Sequence, residues 1–207
     1  MKKETTKEKI IRVAIGAFNQ EGVSNVTLRK IASEANMSNG NLTYHYKTKK
    51  ELVLAIYNIM STEIQAKFPF LDQFEGGRGL QITNDLLTVM LKYRFIYQDT
   101  LEVIRICPEI QPLYNELRHR MYRLIENTTY LAIGKGIMQP EPIEGHYQYF
   151  AKNVWLTFNF WMVNERIAGN TVVDISEGLR MVANLIYPNY TEKGRAMYDK
   201  VFAKLTS

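Results

Sequence analysis

The residues best suited to chemistry lie together in the stretch MSNGNLTYHYKTKKEL, residues 37–52. This stretch combines three lysines, two tyrosines on either side of a histidine, and a Ser-Asn-Gly-Asn sequence that is typical of a turn. Its amide, hydroxyl and phenol groups can form hydrogen bonds, and its lysines attract anions. Few of these side chains suit an apolar core, so we expect the stretch to contact something outside the protein.

Positive charge is concentrated at the same end of the chain. Residues 1–52 contain ten Lys/Arg and five Asp/Glu, whereas residues 53–207 contain sixteen of each. The net charge of +5 therefore lies in the first quarter of the chain, as expected for a basic module that binds phosphate. A basic surface that contacts only solvent would show the same distribution of charge. Aromatic residues are distributed in the opposite way, with three of 24 in residues 1–52, which indicates two parts with different tasks.

The rest of the composition argues against several classes of protein. No apolar run reaches the length of a membrane span, and the first residues lack the apolar region of a secretory signal, so we expect a cytoplasmic protein without a membrane partner. The one cysteine, Cys107, cannot form an intrachain disulfide, and a role in redox sensing is an unsupported alternative to simple packing. The three histidines have no cysteine or acidic partner at metal-ligand spacing, so we expect neither a metal nor a cofactor.

Apolar residues at helical spacing predict two helices at the start of the chain. Thr6 is expected to cap a helix over about 7–20 that ends at Gly22. Thr27 is expected to begin the second helix, and Asn36 ends it by adopting the left-handed conformation that asparagine tolerates.

Two further helices follow at once. Ser38 is predicted to cap a short helix over about 39–46. Thr48 and Glu51 have the spacing of a capping box, which begins a fourth helix that continues to about residue 67.

A helix, a four-residue turn and a short helix form a helix-turn-helix, whose second helix enters the major groove of DNA. Leu42 and Tyr46 are expected to point inward from the short helix. The outward residues can donate, accept or stack, and they are Asn39, Asn41, Thr43 and Tyr44. A helical hairpin that binds nothing has the same spacing, but it does not explain why so short a helix exposes so many hydrogen-bonding groups.

Residues 6–52 resemble the DNA-binding domain of the TetR (tetracycline repressor) family of bacterial transcriptional regulators. The matching positions are Ala17-Phe18, Gly22, Thr27, Ile31-Ala32, Ser38, Gly40, Leu42, Tyr44-His45-Tyr46, Lys49 and Leu52. This pattern is far more specific than a generic helix-turn-helix. The sequence departs from the family at Thr43, where an aromatic residue is usual, and at Asn36, where glycine is common.

The resemblance implies an all-α fold. An N-terminal three-helix helix-turn-helix domain, residues 1–50 with the motif at about 28–47, would be joined to a larger helical ligand-binding and dimerisation domain, residues 51–207. The resemblance also implies a set of DNA contacts, some to base edges and the others to phosphate and sugar. Those at base edges are Asn39, Gly40, Asn41 and Thr43. Those to phosphate and sugar are Thr27, Tyr44, His45, Lys47 and Lys49. Arg29 could reach either a base or a phosphate, and Ser38 also belongs to the DNA-binding set.

The rest of the chain has helical patterning and no convincing strand. A loop is predicted at 67–79, followed by helices at about 80–98, 99–106, 111–134, 145–169, 174–187 and 192–205, with prolines at or between their ends. Aromatic residues cluster in 93–121 and 153–167, where they form either a core or the wall of a small-molecule pocket. The predicted pocket residues are Met90, Tyr93, Arg94, Tyr97, Ile104, Cys107, Tyr122, Trp155, Phe158, Asn159 and Met162.

The helix predicted at 145–169 has apolar residues on more than one face, which suits a helix that is buried on two sides. In the family, the last two long helices pair with their twins in a four-helix dimer interface. The predicted interface residues are Tyr149, Phe160, Val163, Ile167, Leu179, Val182 and Ile186. Such a dimer would read a palindromic operator in double-stranded DNA.

These expectations combine into a homodimeric repressor that a small hydrophobic or aromatic ligand of unknown identity releases from its operator. The ligand would shift the fourth helix and alter the separation of the two DNA-binding domains, and a hundredfold loss of DNA affinity requires about 2.7 kcal/mol of coupling. An architectural or bridging DNA-binding protein without a small-molecule effector is the alternative. An enzyme is not expected, because the sequence has no glycine-rich phosphate loop and no nucleophile elbow.

Overall fold

The computed structural model describes residues 4–67, 78–170 and 173–206. This part of the chain is all α, as predicted, apart from a 3-10 turn at Tyr187–Asn189 and an isolated bridge between Met138 and Tyr190. The helices are α1 Thr6–Glu21, α2 Leu28–Glu34, α3 Asn39–His45, α4 Lys49–Ala66, α5 Arg78–Lys92, α6 Arg94–Gln98, α7 Thr100–Ile106, α8 Ile110–Gly134, α9 His146–Ile167, α10 Ile175–Ile186 and α11 Glu192–Thr206. Within the described residues, none of these helices is both long and apolar enough to cross a membrane.

The start of α1 differs by one residue from the prediction. Thr5, not Thr6, is the cap: its hydroxyl oxygen accepts from the Glu8 backbone N–H at 3.2 Å, and the Glu8 carboxylate accepts from the Thr5 N–H at 2.7 Å. Both bonds form because Glu8 stands three residues after Thr5, which is the spacing of a capping box. At the other end, Gly22 ends the helix with φ of +83°, as predicted.

The capping box predicted at the start of α4 forms only in part. The Thr48 hydroxyl oxygen accepts from the Glu51 N–H at 3.1 Å. The Glu51 carboxylate, however, accepts from the backbone N–H of Lys47 at 2.9 Å. A complete capping box would have this carboxylate accept from the Thr48 N–H. It accepts from the preceding residue instead, so it still satisfies a backbone N–H just before the helix.

The single helix predicted at 80–98 is two helices, α5 and α6, with a break at Tyr93. The side chain of Asn19 bonds on both sides of this break, because its amide nitrogen donates to the Lys92 carbonyl at 2.8 Å and its oxygen accepts from the Phe95 N–H at 3.0 Å. These two backbone groups are thus paired outside their own helix, so the break leaves neither of them unsatisfied. The loop predicted at 67–79 lies almost entirely outside the described residues.

The chain forms two compact units. The first contains residues 1–63 and 92–114, and the second contains residues 64–91 and 115–207. Helices α4, α5 and α8 each carry residues of both units. The functional boundary near residue 50 stays a prediction.

The core of the first unit joins α1–α4 to residues 92–114. Its fully or almost fully buried side chains include Ile10, Phe18, Ile31, Leu42, Leu52, Ile56, Phe95 and Val103. The rings of Phe18 and Phe95 lie 5.1 Å apart between centroids. Residues far apart in the sequence therefore share one apolar core.

Lys49, the first residue of α4, is half-buried and bonds to the loop beside this core. Its ammonium group donates to the carbonyls of Val23, Ser24 and Val26 at 2.8, 3.2 and 2.9 Å, which uses all three of its N–H donors on the loop between α1 and α2. Burial lowers the pKa of Lys49, and the Glu102 carboxylate partly offsets this shift. Glu102 in turn accepts from the Ser24 hydroxyl at 2.5 Å, so α7 also contacts the same loop.

In the second unit, α9 and α10 pack closely at Gly178. A Cβ atom on Gly178 would lie 2.9 Å from the Trp161 ring, so the glycine is what allows the indole to lie against α10. The start of α11 is bonded to the residues after α8, since the Thr191 N–H donates to the Ile137 carbonyl at 3.0 Å. Tyr198 of α11 packs against Tyr187, with 5.2 Å between the ring centroids.

We predict that Lys49→Met lowers the stability of the first unit by about 1–2 kcal/mol, because three carbonyl groups lose a charged donor. The thermal unfolding midpoint of the full chain should fall by several degrees. Lys47→Met is the matched control, since Lys47 is exposed and precedes the helix. Equal midpoints for the two variants would show that the Lys49 bonds do not stabilise the loop.

Candidate nucleic-acid interface

The turn between α2 and α3 has the geometry that its sequence predicts. Asn36 has φ of +49°, and its N–H donates to the Ser33 carbonyl at 3.0 Å. Ser38 then caps α3, because its hydroxyl oxygen accepts from the Asn41 N–H at 3.1 Å. The left-handed residue and the cap together set the direction in which α3 leaves α2.

Helix α3 has a narrow buried side and a wide polar side. Leu42 is fully buried, and Tyr46, the residue that ends the helix, is half-buried. Asn39, Gly40 and Asn41 are exposed, and the Tyr44 side chain is 83% exposed. Three of the four predicted outward residues, Asn39, Asn41 and Tyr44, thus lie on the surface, and Thr43 is half-buried.

Gly40 has no packing role that would explain a glycine inside a helix. An added Cβ atom would meet nothing nearer than the Ser38 hydroxyl oxygen at 3.9 Å, and the backbone has no positive φ. Glycine in a helix costs about 0.5–1 kcal/mol relative to alanine. A glycine at this position would, however, allow a binding partner to come close to the helix backbone.

The hydroxyl group of Thr43 is turned towards its own helix. It donates to the carbonyls of Asn39 and Gly40, with oxygen–oxygen distances of 3.0 and 3.2 Å. The side chain is half-buried, so part of it still reaches the surface. A threonine in this arrangement has no hydroxyl proton left for a base.

Tyr44 and His45 form an aromatic pair at the end of α3. Their ring centroids lie 5.2 Å apart at an interplanar angle of 79°. His45 is half-buried, which supports the exposed ring of Tyr44 from one side. The phenol O–H and the imidazole can both contact phosphate or sugar.

The cationic residues predicted to bind phosphate differ in their availability. Arg29 and Lys47 are exposed, on α2 and just before α4. Lys49, by contrast, has its donors directed to three backbone carbonyls. Thr27 is exposed and caps α2, since its hydroxyl oxygen accepts from the Lys30 N–H at 3.2 Å. Its own hydroxyl proton can still be donated.

The residues predicted to form a dimer interface divide by exposure. On α9, Tyr149, Phe160 and Ile167 are 64%, 52% and 81% exposed, and Val163 is half-buried. Leu156 extends the same face, with 49% of its side chain exposed. On α10, Leu179 and Val182 are buried within the second unit and Ile186 is half-buried. An interface residue must be accessible in the single chain, a condition that α9 meets and the two buried residues do not.

The residues predicted to line an effector pocket fall into both units. Those in the first unit are Tyr93, Arg94, Tyr97, Ile104 and Cys107. Several of these have partners there: the Tyr93 hydroxyl donates to Glu63 at 2.7 Å, and the Cys107 thiol donates to Glu109 at 3.6 Å. Burial raises the pKa of Cys107, which keeps the sulfur protonated.

The predicted pocket residues of the second unit lie on α5, α8 and α9. They are Met90, Tyr122, Trp155, Phe158, Asn159 and Met162. The Tyr122 and Trp155 rings meet edge to face, with 6.2 Å between centroids. The Asn159 amide donates to the Trp155 carbonyl at 2.8 Å, so that donor serves its own helix.

Sequence reasoning missed Asn19 and Glu102, which connect the first helix and its following loop to residues 92–109. Their partners are more than seventy residues away in the chain. No spacing pattern reports a contact over that separation, because it depends on how the helices pack.

Two family profiles match the chain. Residues 10–56 match the profile described as bacterial regulatory proteins, tetR family, and residues 78–198 match the TetR profile described as bacterial transcriptional repressor. Among individual proteins, the HTH-type transcriptional regulator AcrR of Shigella flexneri is 34% identical over 96 residues, which are 43% of this chain and 41% of that protein. QacR of Staphylococcus aureus is 39% identical over 62 residues, or 30% of this chain and 33% of that protein. The aligned regions thus span less than half the length of these relatives.

Solved structures agree over nearly the whole chain. A TetR-family regulator from Marinobacter aquaeolei VT8 superposes with a TM-score of 0.83 at 24% identity, covering 97% of this chain and 98% of that one. A regulator from Saccharomonospora viridis, solved in complex with choline, gives a TM-score of 0.69 at 18% identity, covering 90% of this chain and 97% of that one. These similarities concern the fold. Since one family profile alone covers more than half of the sequence, the chain belongs to the tetR family of bacterial regulatory proteins.

Proposed function

We propose that the protein is a homodimeric transcriptional repressor that binds DNA through α3 and is released by a small ligand. The observation that carries the DNA-binding part is the exposed polar side of α3, on which Gly40 stands between the exposed carboxamides of Asn39 and Asn41. The major groove of DNA accommodates a helix whose backbone comes close to the base edges. Asn39 and Thr43 lie one helical turn apart on one side of Gly40 and Asn41 lies on the other side, so the three residues would flank the bases that Gly40 approaches.

Phosphate contacts would surround this helix. Exposed Arg29 and Lys47 are the cations, and Tyr44, His45 and the hydroxyl groups of Thr27 and Ser38 can donate hydrogen bonds to phosphate oxygens. Lys47 also stands just before α4, a helix of 18 residues whose N-terminus favours an anion. We leave Lys49 out of this set, because its ammonium group is already bonded to three carbonyls.

We predict strongly salt-dependent binding to a duplex from the promoter of the protein's own gene. The slope of log K against log salt should be about −0.9 for each phosphate neutralised. Gly40→Ala should weaken binding by about tenfold or more at every salt concentration, because a methyl group holds the helix away from the bases while the phosphate contacts remain. The slope of this variant should equal that of the wild type.

Gly16→Ala is the matched control for this experiment. Gly16 is also exposed on a helix and has no atom within 4 Å of an added Cβ, but it lies on α1. Both alanines should raise the stability of the first unit by about 0.5–1 kcal/mol, and only Gly40→Ala should weaken DNA binding. A salt slope near zero, or equal DNA affinity for the two variants, would contradict the proposed interface.

Dimerisation through α9 is supported by its exposed apolar residues. Tyr149, Leu156, Phe160 and Ile167 follow one another at intervals of seven, four and seven residues, which places them along one face of the helix. A contiguous apolar stripe of this kind marks an interaction site. A symmetric pair of these faces would be self-complementary and would present two α3 helices to a palindrome. Leu179 and Val182 would support the interface from inside the second unit and make no contact with the partner.

We predict that Phe160→Glu converts the dimer to a single chain, because a carboxylate would be desolvated at the centre of the stripe. Light scattering at micromolar concentration should give twice 24.1 kDa for the wild type and 24.1 kDa for the variant. Leu101→Glu is the matched control: Leu101 is 79% exposed on α7, in the first unit, and its substitution should leave the dimer intact. A wild type that is monomeric, or a dimeric Phe160→Glu variant, would remove this part of the proposal.

The effector would bind in the second unit, beside the rings of Tyr122, Trp155 and Phe158. Apolar and aromatic surroundings with a few polar groups suit a hydrophobic or aromatic molecule. The Saccharomonospora viridis regulator, solved with choline, supports a small molecule as ligand for this fold. Helices α4, α5 and α8 carry residues of both units, so they are the segments through which binding would change the first unit, which we call the head.

We predict that a compound selected for binding from a panel of hydrophobic and aromatic molecules binds more weakly once operator DNA is bound. A hundredfold loss of DNA affinity requires the same hundredfold loss of compound affinity, or about 2.7 kcal/mol, because coupling is reciprocal. Isothermal titration of the protein alone and of its DNA complex measures both affinities. Equal values would contradict a ligand-released repressor.

A further inference from the structure

The outward side of α3 combines two carboxamides with a threonine whose hydroxyl is already bonded. We propose that α3 reads A·T base pairs, with Asn39 and Asn41 contacting adenine and the methyl group of Thr43 contacting thymine. This inference rests on the proposed function, since it names the class of DNA sequence that the same surface would bind.

Thr43 carries the first half of the inference. Its hydroxyl donates to the carbonyls of Asn39 and Gly40 at 3.0 and 3.2 Å, so the proton cannot be donated to an acceptor on a base. The side chain is half-buried, and its methyl group is the part that no hydrogen bond ties to the helix; the next residue is Tyr44, which is 83% exposed. In the major groove, the group that a methyl contacts favourably is the C5-methyl of thymine.

Asn39 and Asn41 carry the second half. Both are exposed, and neither carboxamide has a hydrogen-bond partner among the residues that the structure describes. Asn19 and Asn159 differ in this respect, since their amides bond to backbone carbonyls at 2.8 Å. A carboxamide matches adenine, because it accepts from N6 and donates to N7 at the same time.

The composition of α3 also argues against guanine. Its sequence, NGNLTYH, contains neither Arg nor Lys, the side chains that pair with O6 and N7 of guanine. Arg29 and Lys47 lie outside this helix, on α2 and before α4. The base pairs that face α3 should therefore be A·T.

The experiment begins with selection of binding sites from a randomised duplex library, using the full-length protein at fixed salt. The base pairs in the centre of each selected half-site should be A·T. Each thymine in the selected site is then replaced by deoxyuridine, which lacks only the C5-methyl. Wild-type protein should lose affinity about fourfold, or about 0.8 kcal/mol, at the thymine that Thr43 contacts, since one methyl burial is lost.

Three variants assign this loss to Thr43. Thr43→Ser keeps the hydroxyl and removes the methyl, so it should bind the thymine and deoxyuridine duplexes equally. Thr43→Val keeps a methyl and removes the hydroxyl, so it should retain the discrimination. Thr62→Ser is the matched control and should behave as the wild type, because Thr62 on α4 forms the same kind of bond, to the Asn58 carbonyl at 2.9 Å.

Selection of G·C pairs at these positions would overturn the inference and leave the proposed function standing. Undiminished discrimination by Thr43→Ser would do the same. Failure to select any sequence, together with binding that does not depend on salt, would overturn both.

Discussion

The direction in which α3 leaves α2 is the constraint on which the rest of the head depends. It is set by the left-handed backbone of Asn36 and by the Ser38 cap, and it is held by one fully buried side chain, Leu42. A helix of seven residues that buries only Leu42 completely has most of its circumference at the surface. Polar residues can occupy those positions without cost to the core. The same few residues therefore provide both a stable helix and an exposed polar face.

The interior of the head extends beyond its first four helices. Asn19 bonds to both sides of the break between α5 and α6, and Phe18 packs on Phe95. Glu102 and Lys49 both contact the loop after α1. Because one core is shared, a displacement of residues 92–109 would be felt at α1 and at the loop that precedes α2. Packed interiors transmit strain since they have few voids that could absorb it.

The basic composition of the first 52 residues overstates the charge that is available to DNA. Arg12 pairs with Glu4 at 2.8 Å, Lys30 pairs with Glu21 at 2.5 Å, and Lys50 pairs with Glu109. Lys49 is bonded to backbone carbonyls. Of the cations predicted to bind DNA, Arg29 and Lys47 remain exposed and unoccupied by the carbonyls that hold Lys49, which makes uncharged contacts from α3 correspondingly important. Specific recognition depends on such base contacts, whereas phosphate contacts position the protein.

Local signals were sufficient for much of the fold. Gly22, Asn36 and Ser38 each act through their own backbone or through a partner two to four residues away, and the structure places all three as predicted. The proline positions likewise separated the later helices. The cap of α1 was misplaced by one residue because Thr5 and Thr6 are adjacent and only Thr5 has a glutamate at the right spacing.

The sequence by itself determined the helical class, the turn before α3 and the set of polar residues on that helix, because these depend on neighbours along the chain. Only the tertiary structure decided the break at Tyr93, the inner role of Lys49 and the bonded hydroxyl of Thr43. The first two depend on partners such as Asn19 and Val23 that packing brings near. The third depends on a choice between rotamers, since a threonine in a helix can bond its own backbone or turn away from it.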